Sequence, residues 1–282
     1  MISLLLNLIF FPALFSDATK YRFSTINFDF SKTSIIFLPT LPVAPIIAKF
    51  ILFTILFAFT INVNAQYYSI TFVNVPQENI AEFQMLETNY WSKVAKANIE
   101  AGKQLSWGLV ARVGGGTDSW NHAFVNVYET AEQMTDLSIW DPKSILGIDQ
   151  ELISTGHLTT GMGVTHWAAK SSIQGEGTAA VWNFGSPAAK NEFIDENVNL
   201  WGPAFKKNMG GRTSWGVGQK LNNLEEEYST VMTWDGFSSV ADALKFMNGE
   251  FAPSGVTNSN MGEIMPDGFT AQVIVQDVIW VQ

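Results

Sequence analysis

The tripeptide Ser-Trp-Gly occurs twice, at residues 106–108 and 214–216, and a further tryptophan, Trp91 or Trp201, precedes each occurrence. With an offset of 110 residues, six of the 17 positions from 82 to 98 are identical in the two stretches. The pairs are Glu82 and Glu192, Phe83 and Phe193, Asn89 and Asn199, Trp91 and Trp201, Lys96 and Lys206, and Asn98 and Asn208. A repeat of about 105 to 110 residues is far longer than a solenoid repeat, so the sequence predicts two domain-sized copies.

The repeat continues beyond the helical stretch with small changes of offset. Two residues are lost before the tripeptide, after which Trp107 pairs with Trp215. Further along, Val125 pairs with Val231, and Tyr128 pairs with Trp234. This alignment predicts that the third strand of one copy matches the corresponding strand of the other in this register.

Each copy shows strand, helix, strand, strand, helix and strand in that order. Alternating β-branched and aromatic residues predict four strands per copy, and apolar residues three or four apart predict the helices between them. The first copy has predicted strands at 67–75, 105–113, 121–129 and 163–170, and helices at 77–101 and 130–154, the latter interrupted at Pro142. The second copy has predicted strands at 178–184, 213–221, 227–235 and 269–282, and helices at 188–209 and 238–248.

This order is that of the ferredoxin-like split βαβ unit. Two such units in tandem resemble the dimeric α+β barrel superfamily, which includes antibiotic-biosynthesis-type monooxygenases, EthD-like and NIPSNAP-like proteins, and the haem-binding chlorite dismutase group. The predicted fold class is therefore α+β, with two ferredoxin-like βαββαβ repeats, 66–171 and 172–282, forming a pseudo-dimeric barrel. The resemblance rests on element order and duplication, and no family motif is matched, so it assigns no site residues.

The residues ahead of the repeats carry an export pattern. Residues 49–65 place one lysine before a dozen apolar residues and small residues at Val63 and Ala65, which predicts a signal peptide cleaved after Ala65. The apolar run is shorter than the roughly 20 residues that span a bilayer. Residues 1–48 match neither repeat and predict a non-structural leader, or a reading frame that starts too far upstream. The protein is therefore expected to be secreted or periplasmic, without stable membrane insertion after cleavage.

The charge of the mature chain limits the classes of binding partner that are expected. Removing residues 1–65 takes four of the 16 basic and two of the 26 acidic residues, which leaves 12 basic and 24 acidic. Nucleic acids and anionic membranes bind lysine and arginine clusters, so neither is an expected partner. The chain has no cysteine, which excludes disulfides, thiolate metal sites and cysteine nucleophiles.

The predicted site lies between the two sheets and was assigned from strand parity. On the third strand, Ala123, Val125 and Val127 suit helix packing, which would turn the alternate residues toward a central cavity. Aromatic rings mixed with a few polar groups are typical of ligand pockets. The candidate ligand-binding residues are His122, Phe124, Asn126 and Tyr128 of the first copy, with Tyr228 and Trp234 of the second.

The histidines and the glycine run predict neither a cofactor nor a metal. The three histidines lack the spacing of a metal site, and without a haem motif a lone histidine is a weak signal. The glycines at 114–116 precede no helix, so they predict a hairpin turn and not a phosphate cradle. We therefore expect neither a cofactor nor a metal.

Two functions remain open from the sequence. One is an exported binding or structural module for a small apolar or aromatic ligand. The other is a cofactor-free monooxygenase or isomerase that uses the barrel cavity. Since one scaffold hosts many functions, the fold does not choose between them. Because both copies lie in one chain, the mature protein can be a monomer with a pseudo-dimeric barrel.

Overall fold

The computed structural model describes residues 66–115, 119–222, 229–251 and 255–282. The predicted leader and signal segments lie outside these residues. The predicted α+β architecture is confirmed, because eight antiparallel strands form one closed barrel with helices packed on its outside.

The first half contains four strands and four α-helices. The strands are β1 (Tyr67–Asn74), β2 (Ser106–Arg112), β3 (His122–Tyr128) and β4 (Thr160–Ile173). The helices are α1 (Ile80–Leu86), α2 (Ser92–Glu100), α3 (Ala131–Thr135) and α4 (Pro142–Leu146), with a π-helical turn at Glu87–Trp91 and 3₁₀ turns at Gln77–Asn79, Leu137–Ile139, Gln150–Leu152 and Gly156–Leu158.

The second half follows the same order. Its strands are β5 (Ala179–Gly185), β6 (Ser214–Lys220), β7 (Val231–Phe237) and β8 (Ala271–Val281). Its helices are α5 (Lys190–Glu196), α6 (Gly202–Lys207), α7 (Val240–Met247) and α8 (Met261–Ile264), with a π-helical turn at Asn197–Trp201. Strand β4 extends two residues past the boundary predicted after residue 171.

The strand order around the barrel is β1-β3-β2-β8-β5-β7-β6-β4. Each half contributes four adjacent strands, and the last strand of each half also pairs with the second strand of the other: β8 with β2, and β4 with β6. No strand edge is left open in a closed barrel, which removes the usual site of edge-to-edge association. The two halves therefore complete each other's sheets within one chain.

The long helix predicted at 77–101 is interrupted by the π-helical turn at Glu87–Trp91. A π turn accommodates one extra residue, so it rotates the residues that follow relative to the regular helical period. Ser92 and Asn98, which follow the start of this turn, are buried, whereas Glu87 at its start shares the helix face of the buried Phe83 four residues earlier. The second half has its π turn at the matching place, and both turns end on the repeated tryptophan, Trp91 or Trp201.

The prediction of one interrupted helix at 130–154 was wrong beyond its break at Pro142. The segment consists of α3, α4 and three-residue 3₁₀ turns. Asp141 caps α4 by accepting hydrogen bonds from the backbone N–H groups of residues 143 and 144, and Gly147 ends it with a φ of 72°. These side-chain caps favour short local turns over a continuous helix.

The repeated Ser-Trp-Gly tripeptide has the same role in both halves. Trp107 and Trp215 are buried under the helices. The following glycines, Gly108 and Gly216, have no side chain on the lumen side, and an indole ring from a neighbouring strand lies there. A Cβ at either glycine would overlap that ring, so the glycine is required by the close approach of the ring.

The structure corrects the predicted alignment of the third strands. Trp107 pairs with Asn126 in the first half, and Trp215 pairs with Asp235 in the second. Asn126 is therefore equivalent to Asp235, and Tyr128 to Phe237, three residues later than the sequence alignment placed them. The sequence alignment did not detect this shift, because an aromatic residue matches Tyr128 in either register: Trp234 in the alignment and Phe237 in the structure.

Candidate functional site

A pocket of about 270 Å³ lies between the helices and the sheet of the first half. It is lined by Thr71 of β1, Glu87 and Trp91 of the π turn, Trp107 of β2, Phe124 and Asn126 of β3, and Trp140. Four of these seven side chains are aromatic and three are polar. A mainly apolar wall with a few polar groups is typical of a small-molecule site.

Glu87 is the unusual group in this pocket, because a carboxyl group is rarely buried without a cationic partner. It is 3% exposed. One oxygen, Oε1, accepts a hydrogen bond of 2.7 Å from the Thr155 hydroxyl. Within the described residues the other oxygen, Oε2, accepts no hydrogen bond. Burial raises the pKa of Glu87 to about 7, although the Thr155 hydrogen bond lowers it. At neutral pH this carboxyl group is therefore divided between its protonated and ionised forms.

The aromatic walls are held by hydrogen bonds and ring contacts. The indole N–H of Trp91 donates to the backbone carbonyl of Ile153 at 2.8 Å. The Trp91 and Trp140 rings lie 6.4 Å apart, and the Trp107 and Phe124 rings 6.2 Å apart. Fixed rings of this kind give a preformed apolar pocket, which lowers the entropic cost of binding.

The side chains of Asn126 and Gln104 form a second polar cluster at the pocket wall. Gln104 is buried and donates from Nε2 to Asn126 Oδ1 at 3.0 Å, and also to the Ser106 carbonyl. The Gln104 Oε1 atom is buried without a partner among the described residues. The amide NH₂ of Asn126 makes no hydrogen bond within the described structure, which leaves it available as a donor toward the pocket.

In the second half, the side chains at the equivalent positions form hydrogen bonds with one another. By strand register, Asn183 is equivalent to Thr71, Thr233 to Phe124, and Asp235 to Asn126. Asn183 Nδ2 donates to Thr233 Oγ1 at 3.1 Å and to Asp235 Oδ2 at 2.8 Å.

A buried ion pair adds to this network. Arg212 forms an ion pair with Asp235, and its guanidinium lies 4.5 Å from the Phe205 ring centre and 4.7 Å from that of Phe246. The residue that replaces Glu87 is Asn197, whose amide donates to its own helix at the Phe193 carbonyl. Beneath its helices the first half thus has a pocket, and the second half has a network of hydrogen-bonded polar side chains with an ion pair.

A second cavity, of about 530 Å³, lies in the barrel lumen between the two sheets. It is at the end of the barrel where β1, β2, β5 and β6 begin. The opposite end of the lumen is filled by the rings of Phe72, Trp120, Trp182 and Phe184, whose centres lie 4.9 to 6.4 Å from a neighbour. The lumen is therefore half packed and half open.

The face predicted for the third strand was inverted. Val125 and Val127 line the lumen, and Ala123 packs with them, whereas Phe124 packs under the helices. Phe124 and Asn126 do line a pocket, but it is the one beneath the helices. The sequence correctly predicted which residues of β3 share a face, but it assigned the two faces to the wrong sides of the sheet. Small aliphatic residues pack equally well against a helix or within a barrel.

The remaining predicted residues are dispersed. His122 and Tyr128 share the helix-facing side of β3 but line neither pocket described above. Burial raises the pKa of Tyr128 to about 12, and a hydrogen bond from Trp140 lowers it. Trp234 does line the lumen cavity. Tyr228 lies outside the described residues. The structure does not bring the predicted set together in one wall, and its role in ligand binding stays a prediction.

His122 is held as a packing residue. Its Nδ1 lies 2.8 Å from Asn121 Oδ1, and its Nε2 lies 3.0 Å from Gln84 Nε2. Its ring contacts Phe83 of α1 at 5.3 Å. Burial lowers the pKa of His122 to about 4, so the imidazole is neutral at pH 7, donating through Nδ1–H and accepting at Nε2.

Sequence reasoning missed Glu87, Thr71, Trp91, Trp107 and Trp140 as pocket residues. A signal for Glu87 existed, because it lies four residues after Phe83 and three before Tyr90, on the face of the helix that the apolar period turns toward the core. A carboxyl group at such a position is unusual in a core.

Comparison with known proteins identifies the fold. No protein-family model and no curated protein matches the chain. A solved structure of a candidate monooxygenase from Lactobacillus acidophilus NCFM is similar, with a TM-score of 0.52, 10% identity, and coverage of 77% of this chain and 96% of that one. A candidate monooxygenase from Fusobacterium nucleatum has a TM-score of 0.47 and 11% identity, covering 77% of this chain and 94% of its own. At 10% identity, the likeness to the Lactobacillus protein shows the fold alone.

A chlorite dismutase variant from Candidatus Nitrospira defluvii also matches, with a TM-score of 0.44 and 8% identity, over 77% of this chain and 92% of that one. Within the described ranges no group of three or more histidine, aspartate or glutamate side chains is placed to hold a metal ion. In the same ranges no helix has the length and hydropathy to cross a bilayer.

Proposed function

We propose that the protein binds a small, flat apolar or aromatic molecule in the pocket beneath the helices of its first half. The observation that carries the proposal is the buried Glu87 carboxyl group, which faces a space walled by Trp91, Trp107, Phe124 and Trp140. The pocket volume of about 270 Å³ lies just below the ~300 Å³ at which drug-sized ligand sites begin. The ligand is therefore expected to be small, with its rings stacked against the indoles.

Glu87 supplies the polar anchor for this ligand. In its protonated form the carboxyl group donates a hydrogen bond to a ligand carbonyl or hydroxyl oxygen, and in its ionised form it accepts one from a hydroxyl. The Asn126 amide, which also lines the pocket, offers a second donor. A ligand with one or two oxygen substituents at its edge fits this arrangement.

A matched pair of variants tests the binding site. We expect Trp91→Leu to weaken binding of 2-naphthol, a flat aromatic probe with one hydroxyl group, by roughly tenfold, as for a central aromatic contact. Trp201→Leu removes the equivalent tryptophan of the second half and should leave the affinity unchanged. Calorimetric titration measures both. Equal losses in the two variants, or none in either, would contradict the assignment of the site, and native mass spectrometry of the isolated protein would identify a ligand that co-purifies.

The alternative function is a cofactor-free monooxygenase or isomerase, and one observation favours it. A carboxyl group with a pKa of about 7 is suited to take and return a proton at neutral pH, as general acid–base catalysis requires. The similar fold of a candidate monooxygenase is compatible with this activity, although the same scaffold hosts many functions.

Proton exchange separates an enzyme from a binding protein. Incubation with 2-tetralone in D₂O, followed by NMR, should show replacement of the acidic C–H hydrogens at a rate that Glu87→Gln lowers by about 10²-fold or more. The exposed Glu82 of α1 provides the control, because Glu82→Gln alters no pocket group. Equal exchange rates for wild type and Glu87→Gln would leave the protein as a binding module.

We further propose that the protein is exported, on the strength of the pattern at residues 49–65. Mass spectrometry of secreted or periplasmic material should find an N-terminus at Gln66, and peptides from residues 1–45 in that material would refute cleavage. The proposal that the mature chain is a monomer rests on the barrel, which both halves close together. Light scattering that shows an obligate dimer would overturn it.

A further inference from the structure

The open end of the lumen is a second cavity, separate from the pocket beneath the helices. Its volume of about 530 Å³ lies within the ~300 to 1,000 Å³ range of small-molecule sites. Tyr68 and Met232 line its inner part, and the segment 174–177 that joins the two halves lies at its mouth. The two pockets lie on opposite faces of the sheet and have no lining residue in common.

Two indole rings lie against the walls of this cavity. The Trp280 ring covers Gly108 of β2, and the Trp234 ring covers Gly216 of β6. A Cβ at either glycine would lie within 2.1 Å of a ring atom, so each ring takes the space of the missing side chain inside the barrel. The negative face of an indole attracts cations, and tryptophan does so most strongly among the aromatic residues.

The charged side chains of the cavity are all acidic. Asp277 of β8 and Glu176 of the linker line it, and its lining contains no lysine, arginine or histidine. Asp277 lies opposite Val110, next to an irregularity in the pairing of β2 with β8. No hydrogen bond or ion pair to its carboxyl group occurs within the described residues, and burial raises the pKa of Asp277 to about 6. At neutral pH it is largely an ionised, half-buried carboxylate without a cationic partner.

A further polar group in the cavity also lacks a partner. Tyr68 is 6% exposed, and its hydroxyl oxygen is buried without a hydrogen bond in the described structure. Its ring contacts that of Trp234 edge-on, with centres 5.8 Å apart. An unpaired buried hydroxyl costs free energy, which a ligand with a polar group at this depth would offset.

We propose that the barrel lumen binds an organic cation, an ammonium or quaternary ammonium compound with an apolar body, through Asp277 and the faces of Trp234 and Trp280. The carboxylate supplies the counter-charge, and the indoles contact both the charged head and its apolar body. The mouth carries Glu176, which attracts cations to the opening. The net charge of −10 for the whole chain acts in the same direction at longer range.

The test uses benzyltrimethylammonium as the probe and benzyl alcohol as its uncharged counterpart. Calorimetric titration of the wild type should show saturable binding of the cation at concentrations up to about 1 mM and markedly weaker binding of the alcohol. Asp277→Asn keeps the shape of the side chain and should weaken cation binding by about tenfold. Asp267→Asn, at an exposed turn, is the charge-matched control and should bind as the wild type does.

A third variant separates a loss of site from a loss of fold. Trp280→Leu alters a ring that is 39% exposed, so the protein should stay folded, with a thermal midpoint near that of the wild type, while cation affinity falls severalfold. Equal binding of the cation and the alcohol, or unchanged affinity in Asp277→Asn, would overturn the proposal. Since Trp91→Leu should not alter cation binding, failure here is distinguishable from failure of the pocket beneath the helices.

Discussion

Replacing Glu87 by glutamine should remove a pH dependence of stability that this one carboxyl group causes. The pKa of Glu87 is about 7 in the folded protein, and the ordinary pKa of a glutamate, which applies to the unfolded chain, is 4.5. Between these values the folded protein holds a proton that the unfolded chain has released, so the free energy of unfolding falls as pH rises. Below pH 4.5 both states are protonated and the penalty is absent, and above pH 7 it is present in full.

The magnitude follows from the difference between the two pKa values. Each pH unit corresponds to about 1.4 kcal/mol, so burial of this group destabilises the folded protein at pH 8 by about 3 kcal/mol relative to pH 4. This is a large share of the ~5 to 15 kcal/mol that stabilises a typical domain. Glutamine has a similar shape and does not titrate, so the variant should gain stability over the wild type by this amount as pH rises.

Urea denaturation followed by tryptophan fluorescence, at intervals from pH 4 to pH 8, measures the difference. His122, whose pKa is lowered to about 4 by burial, destabilises both proteins as pH falls below about 6.5, and its effect cancels in the comparison. The exposed Glu82→Gln variant should show no such trend. A flat difference between wild type and Glu87→Gln, or one of opposite sign, would refute the burial argument. Thr155→Val removes the hydrogen bond that lowers the pKa of Glu87, so it should extend the loss of stability to higher pH and enlarge its total.

Three further changes test the packing. Gly216→Ala places a methyl group where the Trp234 ring lies and should cost about 1 to 3 kcal/mol in urea denaturation; an unchanged midpoint would show that the ring moves freely. Arg212→Met leaves the Asp235 carboxylate buried and unpaired and should cost about 3 to 5 kcal/mol, most of it regained when Asp235→Leu is added. His122→Ala should cost about 3 kcal/mol with naphthol binding unaltered, whereas a binding loss without a stability loss would restore its predicted role at a site.

Local periodicity in the sequence is sufficient to predict the strands and the main helices. Alternating residues such as those of 121–129 specify a strand, and the identities between 82–98 and 192–208 specify that the order is repeated. Two units of this order have few ways to bury their sheets, so the pseudo-dimeric barrel could be predicted.

The tertiary structure alone decided which side of each strand faces which partner. Alternation divides His122, Phe124 and Asn126 from Val125 and Val127, but hydrophobicity does not distinguish the underside of a helix from the lumen of a barrel. The answer depends on the ring that fills each space, such as Trp280 over Gly108, and that ring comes from a strand 172 residues later in the chain. The alternation of residues along one strand does not encode which distant segments it packs against.

The same reason explains why the pocket groups were missed. Glu87 lies four residues after the buried Phe83, on the same face of the helix, but the sequence does not show what surrounds the carboxyl group there. Its raised pKa arises from burial beneath segments distant in the chain, and the Thr155 hydrogen bond, which lowers the pKa, also comes from such a segment. The sequence therefore determined the elements, their order and their duplication, because these follow from neighbouring residues. Contacts between residues far apart in the chain determined the faces, the cavities and the chemistry of the carboxyl groups.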